Sequence, residues 1–405
     1  MISDQAASNR SLRTNRDFTL LWLGQAASGL GSSASFLAYP LLVLATTGSA
    51  VAAGAVGTLT GAVRTAFRIP GGALADRWNR RALMMACDAG RIILLATLVT
   101  VVMTDRANLT LIIVIAVASS LLDVVFEPAS LAAVSQVVPT DQLPQAFGWN
   151  EARSFAASTA GPPLGGALFG VARAAPFLFD AVTHLVSLVT LTMIQGPLQG
   201  ARPRGSRASL PHAMRQGFTH VRASPFLRSV ILVFTFVDFA FPAAMFTVVV
   251  ILNQAGNTPS SVGVALGLIA AGGLLGALAA STLQRLVSFR KLIITAIAIL
   301  SASLAVSATL SGRLVMAVPV AIALFLAPAL NAATFSKLAV TTPEHLQGRV
   351  ISVVIASAGI AAATAPLTAG LLITHLNGEA AMAATAAAAG AALLVALTSH
   401  GLRDA

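Results

Sequence analysis

The chain has 405 residues, of which 56% are hydrophobic and only 10% are charged, and its mean hydropathy is +0.84. Soluble domains average about 25% charged residues, so this composition excludes a soluble globular protein and indicates a polytopic α-helical membrane protein. The lone cysteine, Cys87, excludes a disulfide framework and a Cys-x-x-Cys metal site. The formal net charge of +11 has to be explained by where the basic residues lie.

Apolar runs separated by glycine, proline or charged residues predict twelve spans, since a helix needs about 20 apolar residues to cross a bilayer. We expect the spans near 18–44, 50–74, 82–104, 109–135, 146–170, 176–195, 228–252, 261–283, 291–311, 314–338, 349–374 and 380–398. A long polar stretch divides six spans from six. It predicts an N-terminal bundle (1–195), a cytoplasmic linker (196–227) with an amphipathic surface helix at 213–222, and a C-terminal bundle (228–405).

Basic residues lie mainly in alternate loops. If the N-terminus is cytoplasmic, 17 lysines and arginines fall on the cytoplasmic side, and the outer loops keep only Arg106, Arg173 and Arg313. The positive-inside rule therefore predicts that both termini are cytoplasmic. The net charge then reflects topology, with anionic membrane lipid as its partner, and no nucleic-acid partner is expected. Abundant alanine, with 23 arginines against 2 lysines, suggests a GC-rich genome and hence a bacterial plasma membrane.

Four residues of the first half recur in the second half at a constant offset. Pro139, Pro162, Gly166 and Leu168 reappear, 204 positions later, as Pro343, Pro366, Gly370 and Leu372. Two halves in the same orientation imply a pseudo-twofold axis along the membrane normal, with a central cavity between them. The predicted fold is therefore all-α, with twelve transmembrane helices in two pseudo-symmetric six-helix bundles around that cavity.

The loop between spans two and three carries the most specific motif of the chain, hereafter the gate motif. A glycine permits close helix packing, and an acid can accept hydrogen bonds from a helix N-terminus. An asparagine tolerates the left-handed conformation that we expect in a tight turn, and the arginines anchor the loop on the cytoplasmic face. The motif residues are Gly72, Asp76, Arg77, Asn79, Arg80 and Arg81.

This loop resembles the signature Gly-x-x-x-Asp-Arg-x-Gly-Arg-Arg of the major facilitator superfamily, with Asn79 in place of the signature's second glycine. The resemblance runs from Arg16-Asp17-Phe18 through the final span and is closest to macrolide-efflux and enterobactin-exporter-like proteins. It implies that Asp76 acts in a gate that locks the cytoplasmic side when the cavity opens outward. The second-half counterpart keeps its basic residues but has no acid.

Span five contains Gly161, Pro162, Gly165 and Gly166, which resemble the Gly-Pro-x-x-Gly-Gly element of the superfamily's drug:proton antiporters. Prolines kink a helix and glycines permit close packing, so a purely structural kink is the alternative interpretation. The arginine that these antiporters carry in span four is absent. That span offers Asp123 and Glu127 instead.

Ionisable residues inside spans are costly and therefore mark function by default. Asp123 and Glu127 are four residues apart on one helix face, so two such carboxylates resist ionising together, and we interpret them as the proton-coupling pair. The alternative is that an arginine holds both permanently ionised as scaffold. We interpret His184 as a packed residue rather than a proton relay. The predicted intramembrane ion network comprises Arg64, Arg68, Asp88, Arg91, Glu151 and Arg153.

The spans of the second half are almost entirely apolar, which suits an amphipathic ligand better than a sugar. Its candidate cavity residues are Phe236, Asp238, Phe239 and Lys337, although the phenylalanines also fit helix packing. No cluster has metal-ligand spacing, and no nucleophile or phosphate-loop motif lies in a suitable context. We therefore expect no enzyme activity, no cofactor and no bound metal.

The leading hypothesis is a monomeric, proton-coupled exporter of small amphipathic compounds that works by alternating access. An importer or uniporter of a small metabolite is the alternative within the transporter class. A receptor or scaffold built on a transporter fold is the alternative from another class, and it would not need Asp76 or intramembrane carboxylates.

Overall fold

The computed structural model describes residues 12–199 and 218–403, which are helical with short connections and contain no strand. The first half consists of α1 Arg16–Thr47, α2 Ala50–Arg77, α3 Arg80–Met103, α4 Leu109–Val137, α5 Leu143–Val171 and α6 Ala175–Met193. The second half consists of α7 Pro225–Gln254, α8 Pro259–Leu286, α9 Phe289–Thr309, α10 Ala317–Phe325, α11 Ala327–Thr341, α12 Glu344–His375, α13 Gly378–Thr398 and α14 His400–Arg403. Each predicted span falls on one of these helices or, for the tenth, on α10 and α11 together, which confirms the all-α fold.

Within the described residues, eleven segments are long and apolar enough to cross a membrane. Helix α5 is not among them, although its 29 residues are as many as α4 has. Its first half carries polar side chains, including Asn150, Glu151 and Arg153, which lower its hydropathy. The predicted surface helix at 213–222 lies partly outside the described residues, and the described part is helical from 218 to 223.

Polar caps and residues with a left-handed backbone conformation mark the helix ends, where the chain turns. Asn108 accepts a hydrogen bond from the Leu111 backbone N–H at 2.9 Å and begins α4, because the first amides of a helix have no partner inside it. Asp105, in the turn before it, has a φ of 52°. The tenth span is interrupted at Leu326, before Pro328, because proline cannot donate the hydrogen bond that would continue the helix.

The chain divides into two compact units. Unit 1 consists of Met1–Leu42 and Ala66–Arg204, and unit 2 consists of Val43–Thr65 and Gly205–Ala405. The boundary falls inside α2, whose first half belongs with the second unit, whereas the sequence analysis placed all of α2 in the first bundle. Unit 1 has an apolar core around Phe18, Met84 and Val134.

In unit 2, the first half of α2 packs against α12 without intervening large side chains. A Cβ added to Gly54 would overlap the backbone of Pro366, and one added to Gly61 would lie 3.2 Å from the Cβ of Ala363. The backbone N–H of Leu367 donates to Thr58 Oγ1 at 3.1 Å. Glycine is required where backbones approach this closely, so these contacts define a tight seam, hereafter the α2–α12 seam.

Candidate transport and proton-coupling site

Unit 1 contains a buried cluster of ionisable side chains, hereafter the charge cluster. Helix α3 contributes Asp88 and Arg91, one turn apart, and α6 contributes Asp180 and His184, also one turn apart. The exposed fractions are 0% for Asp88 and Asp180, 4% for His184 and 6% for Arg91. Asp123 of α4 completes the cluster. Charges buried this deeply persist only when they are paired, so the pairing within the cluster decides its chemistry.

Arg91 contacts two carboxylates on two different helices. Its Nη1 is ion-paired with Asp123 Oδ1 on α4, and its Nη2 is 3.5 Å from Asp180 Oδ2 on α6. The guanidinium is a planar fork that can serve two acceptors at once. Helices α3, α4 and α6 are therefore joined through one permanently charged side chain.

His184 is enclosed by acceptors. Its Nδ1 is 2.7 Å from Asp88 Oδ1, and its Nε2 is 3.4 Å from Asp180 Oδ1. The Ser32 hydroxyl of α1 lies 3.3 Å from His184 Nε2, and Ser187 donates to Asp88 Oδ2 at 2.7 Å. The sequence analysis interpreted His184 as a packed residue and did not single out Ser32 or Ser187. The structure shows an imidazole held between two carboxylates.

The two carboxylates of α4 have different surroundings. The Asp123 side chain is 26% exposed and is bound by Arg91. Glu127 is exposed, and no described basic residue forms an ion pair with its carboxylate. The predicted scaffold arrangement, with an arginine on each acid, is therefore seen for Asp123 and not for Glu127. Pro128 lies within α4 directly after Glu127 and removes one helical hydrogen bond there.

The structure does not gather the whole predicted ion network. Arg64 and Arg68 are exposed on α2, and Glu151 is exposed on α5. Arg153 donates from Nη1 to Gln25 Oε1 of α1 at 2.7 Å. Of the six predicted residues, only Asp88 and Arg91 belong to the charge cluster.

The arginines of the gate motif hold the backbone that follows α6. Arg81 Nη2 donates to the carbonyl oxygen of Gly196 at 2.8 Å, and Arg80 Nη1 donates to that of Leu198 at 3.4 Å. Asp17, at the start of α1, accepts from the Gly196 backbone N–H at 2.7 Å. The motif therefore fixes the first residues of the linker to unit 1.

Two expectations about the gate motif were wrong. Asn79 has a φ of −65°, so it is not left-handed; it begins α3 by accepting from the Ala82 backbone N–H, because asparagine is a strong N-cap. A Cβ at Gly72 would meet nothing within 4 Å. The close approach is at Gly71 instead, where a Cβ would lie 2.6 Å from the carbonyl oxygen of Val124.

Two members of the gate motif remain to be placed, one basic and one acidic. Arg77 is exposed at the end of α2. The Asp76 side chain lies outside the described part of the structure, so its role in the gate stays a prediction.

The antiporter-like element of α5 packs on α1. A Cβ at Gly161 would overlap Ser33, and one at Gly165 would overlap the backbone of Ala34. Helix α5 continues through Pro162 to Val171. Gly161 and Gly165 therefore serve close packing between α1 and α5.

The four candidate cavity residues of the second half lie on two helices, three on α7 and one on α11. Phe236, Asp238 and Phe239 are half-buried on α7, and Lys337 is half-buried on α11. A neighbouring apolar pocket of about 30 Å³ lies in unit 2 between α7, α9, α10 and α11. Its walls are Val237, Phe241, Ala296, Ile297, Leu300, Ala323, Leu324, Leu326, Ala327 and Leu330.

Comparison with known proteins decides the family. Residues 21–318 match the family model described as Major Facilitator Superfamily. The chain belongs to the Major Facilitator Superfamily. The resemblance seen in the gate motif is confirmed, and this superfamily member is a multi-pass membrane transporter and not an enzyme.

Individual relatives agree with this assignment. This superfamily member is 27% identical over 354 residues to "Multidrug efflux pump Tap" of Mycolicibacterium fortuitum, a match that covers 82% of this chain and 83% of Tap. A bacterial homologue of the iron transporter ferroportin shares its fold with a TM-score of 0.75 at 16% identity, covering 96% of this chain and 99% of the homologue. A bacterial homologue of the human lysosomal transporter Spinster shares the fold with a TM-score of 0.72 at 16% sequence identity. This match covers 95% of this chain and 98% of the homologue.

Proposed function

We propose that this transporter exports small amphipathic compounds in exchange for protons by alternating access. The similarity to a protein named as a multidrug efflux pump, which extends over most of both chains, supports export. The largely apolar spans of unit 2 support an amphipathic ligand, because apolar walls bind apolar surface and offer few partners to a sugar's hydroxyls.

The observation that carries proton coupling is the exposed carboxylate of Glu127 in the middle of a spanning helix. An ionised side chain without a counter-charge costs at least about 2.5 kcal/mol at membrane depth. Protonation removes that cost and deprotonation restores it, so Glu127 changes its preferred surroundings with each proton that it binds. Asp123, one turn away and bound by Arg91, is its negatively charged neighbour. We propose Glu127 as the proton carrier and Asp123 as its partner.

Flux measurements in proteoliposomes test the function. The purified protein would be reconstituted, a panel of fluorescent amphipathic cations would be supplied, and a pH gradient would be imposed across the membrane. We expect uphill movement of at least one dye opposite to the proton flux, abolished by a protonophore and absent from empty liposomes. Movement that ignores the gradient would indicate a uniporter, and movement in the same direction as protons would indicate an importer.

Accessibility of single cysteines tests the proposed orientation, in which both termini are cytoplasmic. Cys87→Ser should supply a cysteine-free background, because the thiol is a small buried group in α3. A membrane-impermeant thiol reagent applied to intact cells should label Arg106→Cys in the turn after α3, and should not label Arg204→Cys in the linker. The reverse pattern would invert the topology.

A further inference from the structure

His184 lies between two buried carboxylates that belong to different helices. Its Nδ1 is 2.7 Å from Asp88 Oδ1 on α3, and its Nε2 is 3.4 Å from Asp180 Oδ1 on its own helix. Ser187 donates to the second oxygen of Asp88, so an ionised Asp88 accepts on both oxygens whenever His184 Nδ1 carries a hydrogen. We propose that His184 binds and releases a proton during transport and thereby selects the carboxylate that Arg91 holds. This inference rests on the proposed proton exchange and adds a second proton site to it.

Ser32 allows His184 to exist in both charge states. Its hydroxyl oxygen is 3.3 Å from both His184 Nε2 and Asp180 Oδ1. In the imidazolium both ring nitrogens donate, so Nε2 donates to Asp180 and the hydroxyl donates to the same carboxylate. In the neutral ring Nε2 accepts, and the hydroxyl turns its hydrogen toward it. In the release step the Nε2–H bond breaks and its proton binds the oxygen of the half-buried Ser32, while the hydroxyl's own proton passes to water, so that serine stays neutral and water gains the proton.

The charge state of His184 determines which carboxylate Arg91 has to neutralise. With an imidazolium present, Asp88 and Asp180 both contact a positive ring, and Arg91 is free to pair with Asp123, as it does in this structure. Once the ring is neutral, Arg91 is the remaining positive charge of the cluster. Its Nη2 is already 3.5 Å from Asp180, so a small side-chain movement transfers the pairing from Asp123 to Asp180. Asp123 then loses its contact with Arg91 on the α4 face that carries Glu127.

The surroundings of His184 contain no second base that could replace Arg91 in this exchange within the described residues. The titratable and charged groups around the ring are Asp88, Arg91 and Cys87 on α3, Asp123 on α4, Asp180 on α6 and Tyr39 on α1. A histidine that only filled space would keep one charge state. Its charge state would also be independent of Asp123, which it does not touch.

Nitrogen NMR of ¹⁵N-histidine-labelled protein in lipid nanodiscs tests the inference without any transport assay. Loss of one signal in His184→Gln assigns the resonance. We expect that signal to convert from imidazolium to neutral imidazole within about pH 5–8, the range in which histidine serves as a switch. In Asp123→Asn the conversion should occur at least about one pH unit lower, because a nearby negative charge is lost and Arg91 moves toward Asp180.

A matched control separates this effect from removal of any acid. Glu151→Gln neutralises an exposed carboxylate of α5 outside the charge cluster and should leave the His184 conversion unchanged. A single charge state across the whole pH range would overturn the inference. An equal response to Asp123→Asn and Glu151→Gln would overturn it as well.

Transport of His184→Gln supplies the second readout. Glutamine keeps an amide donor for Asp88, so the variant should insert and bind the dye, while its dye–proton exchange keeps only the pH dependence that Glu127 gives it. Persistent pH dependence of the wild-type kind would contradict the inference. If the wild-type protein shows no proton-dependent dye flux, the proposed function is wrong, whatever His184 does. If the wild-type flux is driven by protons but His184 keeps one charge state, only the second proton site is wrong.

Discussion

Glu127→Gln should abolish proton-driven accumulation of the transported dye while leaving dye binding and downhill exchange intact. The amide has nearly the shape of the protonated acid but cannot release a proton, so the variant stays in the neutral state of the cycle. A gradient of one pH unit stores a free energy of about 1.4 kcal/mol for the protons that cross. In a one-to-one exchange this sustains about tenfold accumulation of the dye. We expect this ratio to fall to about one in the variant.

Glu127→Asp is the matched control, because it keeps a titratable carboxylate on the same face of α4 and should retain most of the accumulation. Expression and dye binding must be measured in parallel. A glutamine variant that inserts poorly or loses binding would identify Glu127 as scaffold. Wild-type accumulation by Glu127→Gln, and by the double variant with Asp123→Asn, would remove the α4 pair from proton coupling.

Composition and periodicity predicted the helices well, because a bilayer demands long apolar segments wherever the chain crosses it. They also placed Asp88 with Arg91, and Asp180 with His184, each pair one turn apart on one helix. The sequence does not state which helix faces meet. This is why Arg64, Arg68, Glu151 and Arg153 were grouped with the cluster although the structure places them elsewhere.

The sequence contained a signal for the contacts of His184 that the sequence analysis missed. Asp180 and His184 share one face of a span whose other residues are uncharged, and burying both together without a partner would be too costly. A third ionisable group was therefore to be expected against that face. Ser32 had no such signal, because a single serine in a helix is common and its hydroxyl reaches only a few ångströms.

The α2–α12 seam and the interior of α2 suggest how the conformational change takes place. The first half of α2 packs on α12 in unit 2, and Gly71 in its second half packs on α4 in unit 1. Pro70 lies between these contacts and cannot donate to the carbonyl oxygen of Ala66, the first residue of α2 that belongs to unit 1. Any rocking of one unit against the other must therefore bend α2 near Pro70 or open one of its two contacts.

We propose that the α2–α12 seam is the contact that opens, so closing it covalently should stop transport. In the Cys87→Ser background, the pair Gly61→Cys and Ala363→Cys brings two Cβ atoms to about 3.2 Å, near the roughly 3.5–4.5 Å spacing of disulfides. Oxidation should reduce dye efflux to the background of empty liposomes in proportion to the fraction cross-linked. Reduction with dithiothreitol should restore it.

A second cysteine pair separates loss of seam opening from general damage by oxidation. Gly24→Cys and Thr190→Cys join α1 to α6 within unit 1, where a Cβ at Gly24 would lie 3.4 Å from that of Thr190. Neither helix takes part in the α2–α12 seam, so this cross-link should leave efflux unchanged. Full efflux by protein cross-linked between residues 61 and 363 would show that the seam stays closed throughout the cycle. The movement would then have to bend α2 near Pro70 or open the contact of Gly71 with α4.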